Sequence, residues 1–311
     1  MAREVTIGIA QFSPVHLNLS ACMDKIESIM AEARRNKVEL LALGETWLSG
    51  YPAWIDHCKN VAEWDNADVK AVFQKFYLSS VTIDGPEVSR IRQLARDGRH
   101  TVVLGINERV ERGPGNGTVY NSVITVGSNG DLLNHHRKLV PTFTEKMLYG
   151  HGDGHGLKAV DTSFGRVGAS ICWEHWMPLT RQALHDSGEH IHVALWPNVH
   201  EMLQLASRHY AFEGRCFVVA VGQTMKASDF PSGLELPARL YANPDQWVLR
   251  GGSCVIDPSG QFVVAPLMDR EELIVCRVDT DSVYRERMTL DVSGHYQRPD
   301  VFDFRVKTER S

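Results

Sequence analysis

Apolar positions in this chain switch repeatedly between a period of two and a period near 3.6. Val5, Ile7 and Ile9 stand two apart, the repeat of a strand. Cys22, Ile26, Ile29, Met30 and Ala33 follow at spacings of four, three, one and three, which places them on one helix face. Val38 to Leu43 is an apolar run broken only by Glu39, the pattern of a strand covered on both faces. Val88, Ile91, Leu94 and Ala95 predict a second helix, and Thr101 to Ile106 another buried strand. Gly113-Pro114-Gly115-Asn116-Gly117 is a turn between two strand-like runs, and Asn129-Gly130 is a hairpin turn. Val167 to Cys172 predicts a strand, followed by a helix of about 14 residues ending near Gly188. Ile191 to Trp196, a helix over 200–213 and Cys216 to Gln223 repeat the alternation. Strands near 252–256, 262–266 and 272–278 follow, the first two separated by Pro258-Ser259-Gly260.

β-α-β units mixed with hairpins define an α/β protein, with either one mixed sheet or two packed sheets and helices outside. The chain has no repeat at a fixed period and no low-complexity linker. Its 311 residues suffice for one large domain or two modest ones. Residues 224–250 are irregular and suit a loop over a site. The expected organisation is one domain over 5–280 and a C-terminal tail over 281–311. That tail is aperiodic yet carries Tyr284, Tyr296, Phe302 and Phe304, so it is expected to dock on a partner subunit.

The hydrophobic fraction is 43%, the charged fraction 23% and the net charge −5, which places the chain among ordinary globular proteins. The mild acidity, with no basic run of five or more, argues against a nucleic-acid surface. No apolar stretch approaches the roughly 18 residues of a membrane span. The first residues run straight into a strand pattern without an apolar leader core, so a cytoplasmic location is expected. Six scattered cysteines without a C-x-x-C pair speak against a zinc ribbon or a redox dithiol. Cys22, Cys216, Cys254 and Cys276 read as small core hydrophobes, and Cys58 has no assigned place.

Cys172 lies where a strand pattern stops and a helix pattern begins, the position from which side chains reach the ligand crevice of an α/β fold. The first N–H groups of a helix there favour a thiolate. Glu45 follows Leu41-Ala42-Leu43-Gly44, and Lys138 follows the run beginning at Leu132. A nucleophile, an acid/base and a cation at three strand ends suit a hydrolytic site. Each has an ordinary alternative: a core cysteine, a capping or ion-paired carboxylate, and a solvated basic patch. Glu145, seven residues after Lys138, would alone be a surface residue. His175 sits one turn beyond Cys172 and is expected to point away from the thiol, which disfavours a Cys–His dyad. His200-Glu201 lacks the second histidine of H-E-x-x-H, and His151 to His155 is turn-rich, so no metal site is expected.

Three local contexts together carry a resemblance. They are Glu45 in Gly-Glu-Thr-Trp-Leu-Ser-Gly-Tyr-Pro, Lys138 in His-Arg-Lys-Leu-Val-Pro-Thr, and Cys172 in Cys-Trp-Glu-His-Trp-Met-Pro-Leu. In that order they resemble the Glu–Lys–Cys signature of the nitrilase superfamily of carbon–nitrogen hydrolases, over nearly the whole chain. Cys172-Trp173-Glu174 is similar to the form in true nitrilases, and Glu145 matches the family's second glutamate. The resemblance implies a four-layer α-β-β-α sandwich, pairing of homodimers into an extended sandwich, and growth into spirals or filaments. It implies hydrolysis of small nitriles by Cys172 without a cofactor. Glu45 would serve as proton carrier, Lys138 as the cation that lowers the thiol pKa, and Glu145 as the group holding Lys138 or a water. Tyr51, Trp54 and Trp173 would give an aromatic substrate pocket, with core packing as the alternative for Trp54. An amidase or carbamoylase, a cyanide-degrading enzyme, and a catalytically silent assembly protein remain as rivals.

Overall fold

The computed structural model describes residues 3–310, which form two sheets packed face to face. The first sheet contains β1 (Glu4–Gln11), β2 (Leu40–Leu48), β3 (Thr101–Arg109), β4 (Val119–Val126) and β5 (Leu132–Arg137). The second contains β6 (Val160–Thr162), β7 (Gly165–Ile171), β8 (Ile191–Leu195), β9 (Phe217–Val221), β10 (Thr224–Lys226), β11 (Trp247–Ile256) and β12 (Phe262–Met268). The last strand, β13 (Glu272–Asp279), returns to the first sheet, whose order is β13-β1-β2-β3-β4-β5. β1, β2 and β3 run parallel, as do β7, β8 and β9, while hairpins extend both sheets antiparallel. Of the two architectures left open by the pattern, the structure is the two-sheet one.

Alternation along the strands sorts the core. Val5, Ile7, Ile9, Leu40, Ala42 and Val103 face the second sheet. Leu41, Leu43, Val102 and Leu104 face the other way, towards helices α1 (Leu19–Arg35) and α4 (Pro86–Gly98), whereas α3 (Ala67–Ser79) packs in a separate cluster. The helix face read from Cys22 to Ala33 is the buried face of α1. On the far side, α6 (Glu201–Gly214) lays Leu203, Ala206, Tyr210 and Ala211 against the second sheet. The layers are therefore helix, sheet, sheet, helix. A third cluster joins α2 (Trp54–His57) and α3 to Met225, Leu240 and Leu249, so much of the 224–250 stretch packs on these helices. Within it lie β10 and α7 (Ala238–Tyr241).

One expectation needs correction. The helix after Cys172 is not continuous: a 3₁₀ turn spans Cys172–Trp176, and α5 (Pro178–Asp186) begins afresh at Pro178. Proline disfavours helical backbone at the residue before it, and Met177 is extended. α3 gave no clear sequence signal, because it buries little more than Val72, Phe76 and Ser79. After α8 (Ser282–Glu286), the tail runs back along its own chain. Arg310 donates to the His135 carbonyl at 3.0 Å, and His155 Nδ1 to the Thr308 carbonyl at 3.2 Å. Cys58 lies in the third cluster, and Cys276 is half-buried while the other cysteines are buried. Among the described residues no helix is long and apolar enough to cross a membrane.

Candidate active site

Backbone irregularity places the three candidate side chains, Cys172, Lys138 and Glu45. β7 stops at Ile171 and Cys172 turns into the left-handed region with φ +54°, a conformation that costs a non-glycine residue about 1–3 kcal/mol. Lys138 directly follows β5. Glu45 does not end a strand but lies inside β2, where the register with β3 shifts between Leu43 and Leu48. The next residue, Thr46, has φ +48°, unusual for a β-branched residue. Gly105 makes this shift possible, since a Cβ there would collide with the Gly44 carbonyl and the Thr46 amide. From the second sheet, Gln223 Nε2 donates to the Glu45 carbonyl at 2.6 Å.

Glu174 ties two of these strand ends together. It accepts from the Ile171 amide at 2.8 Å and from the Leu139 amide at 2.8 Å. His136 Nε2 lies 2.9 and 3.0 Å from its two oxygens. One carboxylate thus fixes the residue before Cys172 and the residue after Lys138.

The Lys138 ammonium donates to Glu45 Oε1 at 2.9 Å and to the two Glu145 oxygens at 3.0 and 2.7 Å. Asn121 Nδ2 also donates to Glu45 Oε1, at 2.7 Å, and the Tyr51 hydroxyl donates to Glu145 Oε1 at 3.0 Å. The Thr142 amide donates to Glu145 Oε2 at 2.9 Å. Side-chain atoms of Glu45, Glu145 and Cys172 lie within 4.8 Å of one another. Two carboxylates and a sulfur could hold a cation, and the Lys138 ammonium fills that place. Among the described residues, buried Glu45 Oε2 has no hydrogen-bond partner, which leaves it free for a proton or a ligand.

Burial raises the Glu45 carboxyl to about 7, with Glu145 adding to the shift and Lys138 opposing it. Burial would deprotonate Lys138, but Cys172, Glu45 and Glu145 outweigh it and hold the ammonium above its usual range. The Cys172 thiol is pushed well above its ordinary value, first by burial and then by Glu45, against the pull of Lys138. The resting thiolate expected from a helix terminus and Lys138 is therefore replaced by a thiol beside a base. The physical reason is burial first, and then two carboxylates that share the single ammonium, with only a five-residue 3₁₀ turn opening at Cys172.

His175 points away from the sulfur, with Nδ1 2.6 Å from the Cys172 carbonyl oxygen. Tyr51 reaches the cluster through Glu145. Trp173 is 56% exposed beside Cys172, which is only 5% exposed. Trp54 is buried in the third cluster, edge-on to Phe76 at 6.4 Å. Asn121 and Glu174 were missed by sequence reasoning. Asn121 had a signal, as an amide between Val119 and Val123 in the alternate series of β4. Glu174 had the three-residue spacing of a carboxylate reaching back to a backbone amide.

The sequence profile of the carbon–nitrogen hydrolase family matches residues 6–287, and the chain belongs to that family. Among curated proteins it is 38% identical over 313 residues to Nitrilase 2 of an unknown prokaryotic organism, covering 99% of this chain and 94% of that one. It is 31% identical to the arylacetonitrilase of Trametes versicolor, covering 99% and 98% of the two chains. It is also 31% identical to the aliphatic nitrilase of Sinorhizobium fredii, covering 97% and 95%. The solved structure of Saccharomyces cerevisiae Nit3, a member of branch 10 of the nitrilase superfamily, superposes with a TM-score of 0.72 at 19% identity. That match covers 95% of this chain and 97% of Nit3, and it concerns the fold.

Proposed function

We propose that the protein is a nitrilase that converts small organic nitriles to carboxylic acids and ammonia. The observation that carries this reading is a buried thiol within reach of an ammonium-bridged pair of carboxylates. The names of the relatives support nitriles over amides as substrates.

The reaction starts from the thiol. Cys172 sulfur bonds to the nitrile carbon while its proton passes through Glu45 Oε2 to the nitrile nitrogen, giving a neutral thioimidate. Lys138 stabilises charge gathering at the reacting atoms. Water then adds to the thioimidate carbon, with Glu45 taking its proton. Return of that proton to nitrogen gives a tetrahedral carbon bearing OH, NH₂ and sulfur; Glu45 then carries the hydroxyl proton to the same nitrogen, the C–N bond breaks, and ammonia leaves a thioester. A second water, activated the same way, frees the acid and restores the thiol. Glu145 keeps Lys138 in place. Tyr51 and Trp173 meet the substrate, with Trp54 packed in the same cluster as Tyr51. The scheme uses no cofactor.

The same reading makes the enzyme a cytoplasmic homodimer or larger assembly that joins sandwiches and involves the 281–311 tail. Support comes from Met202, Leu205 and Phe212, an exposed apolar stripe on α6 opposite its buried face, and from exposed Leu179 on α5. The free cysteines agree with a reducing compartment.

Ammonia release from matched nitriles and amides tests the activity. Nitriles are expected to be the better substrates, with a Cys172 adduct visible by intact mass and absent in Cys172→Ala. Turnover of amides alone, or an adduct that survives Cys172→Ala, would overturn the reading.

A further inference from the structure

Behind the nucleophile runs a line of buried polar side chains that the reaction above leaves unused. The Tyr210 hydroxyl donates to Glu189 Oε2 at 2.6 Å, and Glu189 Oε1 lies 2.7 Å from His192 Nδ1. His192 Nε2 faces His175 Nε2 at 3.0 Å, and Ser170 Oγ lies 3.1 and 3.0 Å from these two atoms. His175 Nδ1 meets the Cys172 carbonyl oxygen at 2.6 Å. The His175 ring stacks on Trp196 at 4.6 Å and the His192 ring on Tyr210 at 3.9 Å, which fixes both ring planes.

Hydrogen-bond accounting limits which atoms of this line can donate. A carbonyl only accepts, so His175 Nδ1 carries a proton. A proton also lies between His192 Nδ1 and the Glu189 carboxylate. Two neutral rings would then present lone pairs at both Nε2 atoms. The single Ser170 hydroxyl proton can serve only one of them. A proton shared between the two Nε2 atoms would satisfy both, with the Glu189 carboxylate one ring away.

The carbonyl held by His175 shares a planar trans peptide with the Trp173 amide, so the two point in opposite directions. Anchoring the carbonyl aims the Trp173 N–H away from His175. We propose that His175, held in one tautomer by His192 and Glu189, is a positioning residue that orients the Trp173 N–H as oxyanion donor to intermediates on Cys172. Its contact also offsets the left-handed backbone of Cys172, where φ is +54°. The proposal rests on Cys172 being the nucleophile, but not on nitriles being the substrates.

Two thiol reagents separate positioning from general damage. A reversible aldehyde forms a hemithioacetal: sulfur bonds to carbon, the C=O π pair moves to oxygen, and the thiol proton follows through Glu45. That oxygen needs the donor. Iodoacetamide forms the same kind of S–C bond with loss of iodide and passes the thiol proton to Glu45, with no such oxygen. In His175→Leu, inhibition by butanal and phenylacetaldehyde is expected to weaken by about 10²-fold, the loss typical of one oxyanion donor. Alkylation of Cys172 should stay near wild type, although leaving the buried partners of His175 unpaired should lower the melting temperature. His192→Leu, which keeps His175 but frees its tautomer, should show a smaller loss in the same direction. It should also abolish a far-downfield imidazole N–H resonance seen in the ¹⁵N-histidine-labelled wild type. Equal losses in both reagents, or no loss of aldehyde affinity in the variant that folds, would overturn the proposal. So would a wild type alkylated at Cys172 yet untouched by both aldehydes. An unlabelled Cys172 would instead remove the nucleophile, and inert nitriles with intact aldehyde effects would remove only the substrate reading.

Discussion

Lys138 spends two of its three N–H donors on the two oxygens of Glu145, at 3.0 and 2.7 Å, and the third on Glu45 at 2.9 Å. The ammonium is thus saturated, and two buried carboxylates share one positive charge. That imbalance fits the roles proposed above, with Glu45 as a base near neutrality and Glu145 as an anchor.

Replacing the anchor should reveal this division. Glu145→Gln keeps the shape but removes a negative charge that raises the Glu45 pKa. The turnover number is expected to fall by about 10²–10⁴, the range for loss of an organised acid–base site. The acid limb of the pH–rate profile should also move to lower pH. A variant with normal turnover, or with an unmoved limb, would strip Glu145 of this part.

The wild-type profile has a defined sign. In the proposed scheme Glu45 works as a base only when ionised, and burial raises its pKa to about 7. Activity should therefore decline as pH falls through about 7. Stability runs the opposite way for this group. A carboxyl whose folded pKa is raised contributes stability below its unfolded value and loses it as pH rises through the folded value. Glu45→Gln should accordingly gain melting temperature relative to wild type at pH 8 and gain least at pH 5. Melting curves at the two values check this, and a difference independent of pH would contradict it.

Lys138 should matter for folding as well as turnover. Lys138→Met strands Glu45 and Glu145 together in a buried site, a defect that typically costs about 3–5 kcal/mol. Adding Glu145→Gln removes one of the unpaired charges and should restore part of the loss. Denaturant unfolding of the two single variants and the double variant measures the coupling; strict additivity would mean that the pair does not interact.

Much of this arrangement was legible before any coordinates. Periodicity read α1 and most strands, because their apolar spacing reports burial directly. It failed at Pro178, where a local backbone restriction overrides an otherwise helical pattern. The order of Glu45, Lys138 and Cys172 was readable, but their protonation was not. Whether Cys172 rests as thiol or thiolate depends on burial and on two carboxylates brought in from 127 and 27 positions away, which no local pattern reports. The left-handed turns at Thr46 and Cys172 were equally silent, since neither residue advertises a positive φ.

Glu174 shows how one hidden residue can set the distance between two visible ones. Burial pushes its carboxyl up, but His136 and the amides of Leu139 and Ile171 outweigh burial and hold it below the ordinary range. Glu174→Gln offers a single acceptor oxygen where both amides and His136 now find two, and its NH₂ would face an amide donor. One buried amide is left unpaired, at a cost of about 1–3 kcal/mol. The ends of β5 and β7 are released from each other, so turnover should fall although Glu174 touches no reacting atom. The stabilisation from a depressed carboxyl is present above its unfolded pKa and lost as pH falls through the folded value. The melting difference between wild type and Glu174→Gln should therefore be largest near neutrality and shrink in acid. A difference that grows in acid, or a variant with unchanged turnover, would show that this carboxylate does not hold the two strand ends in register.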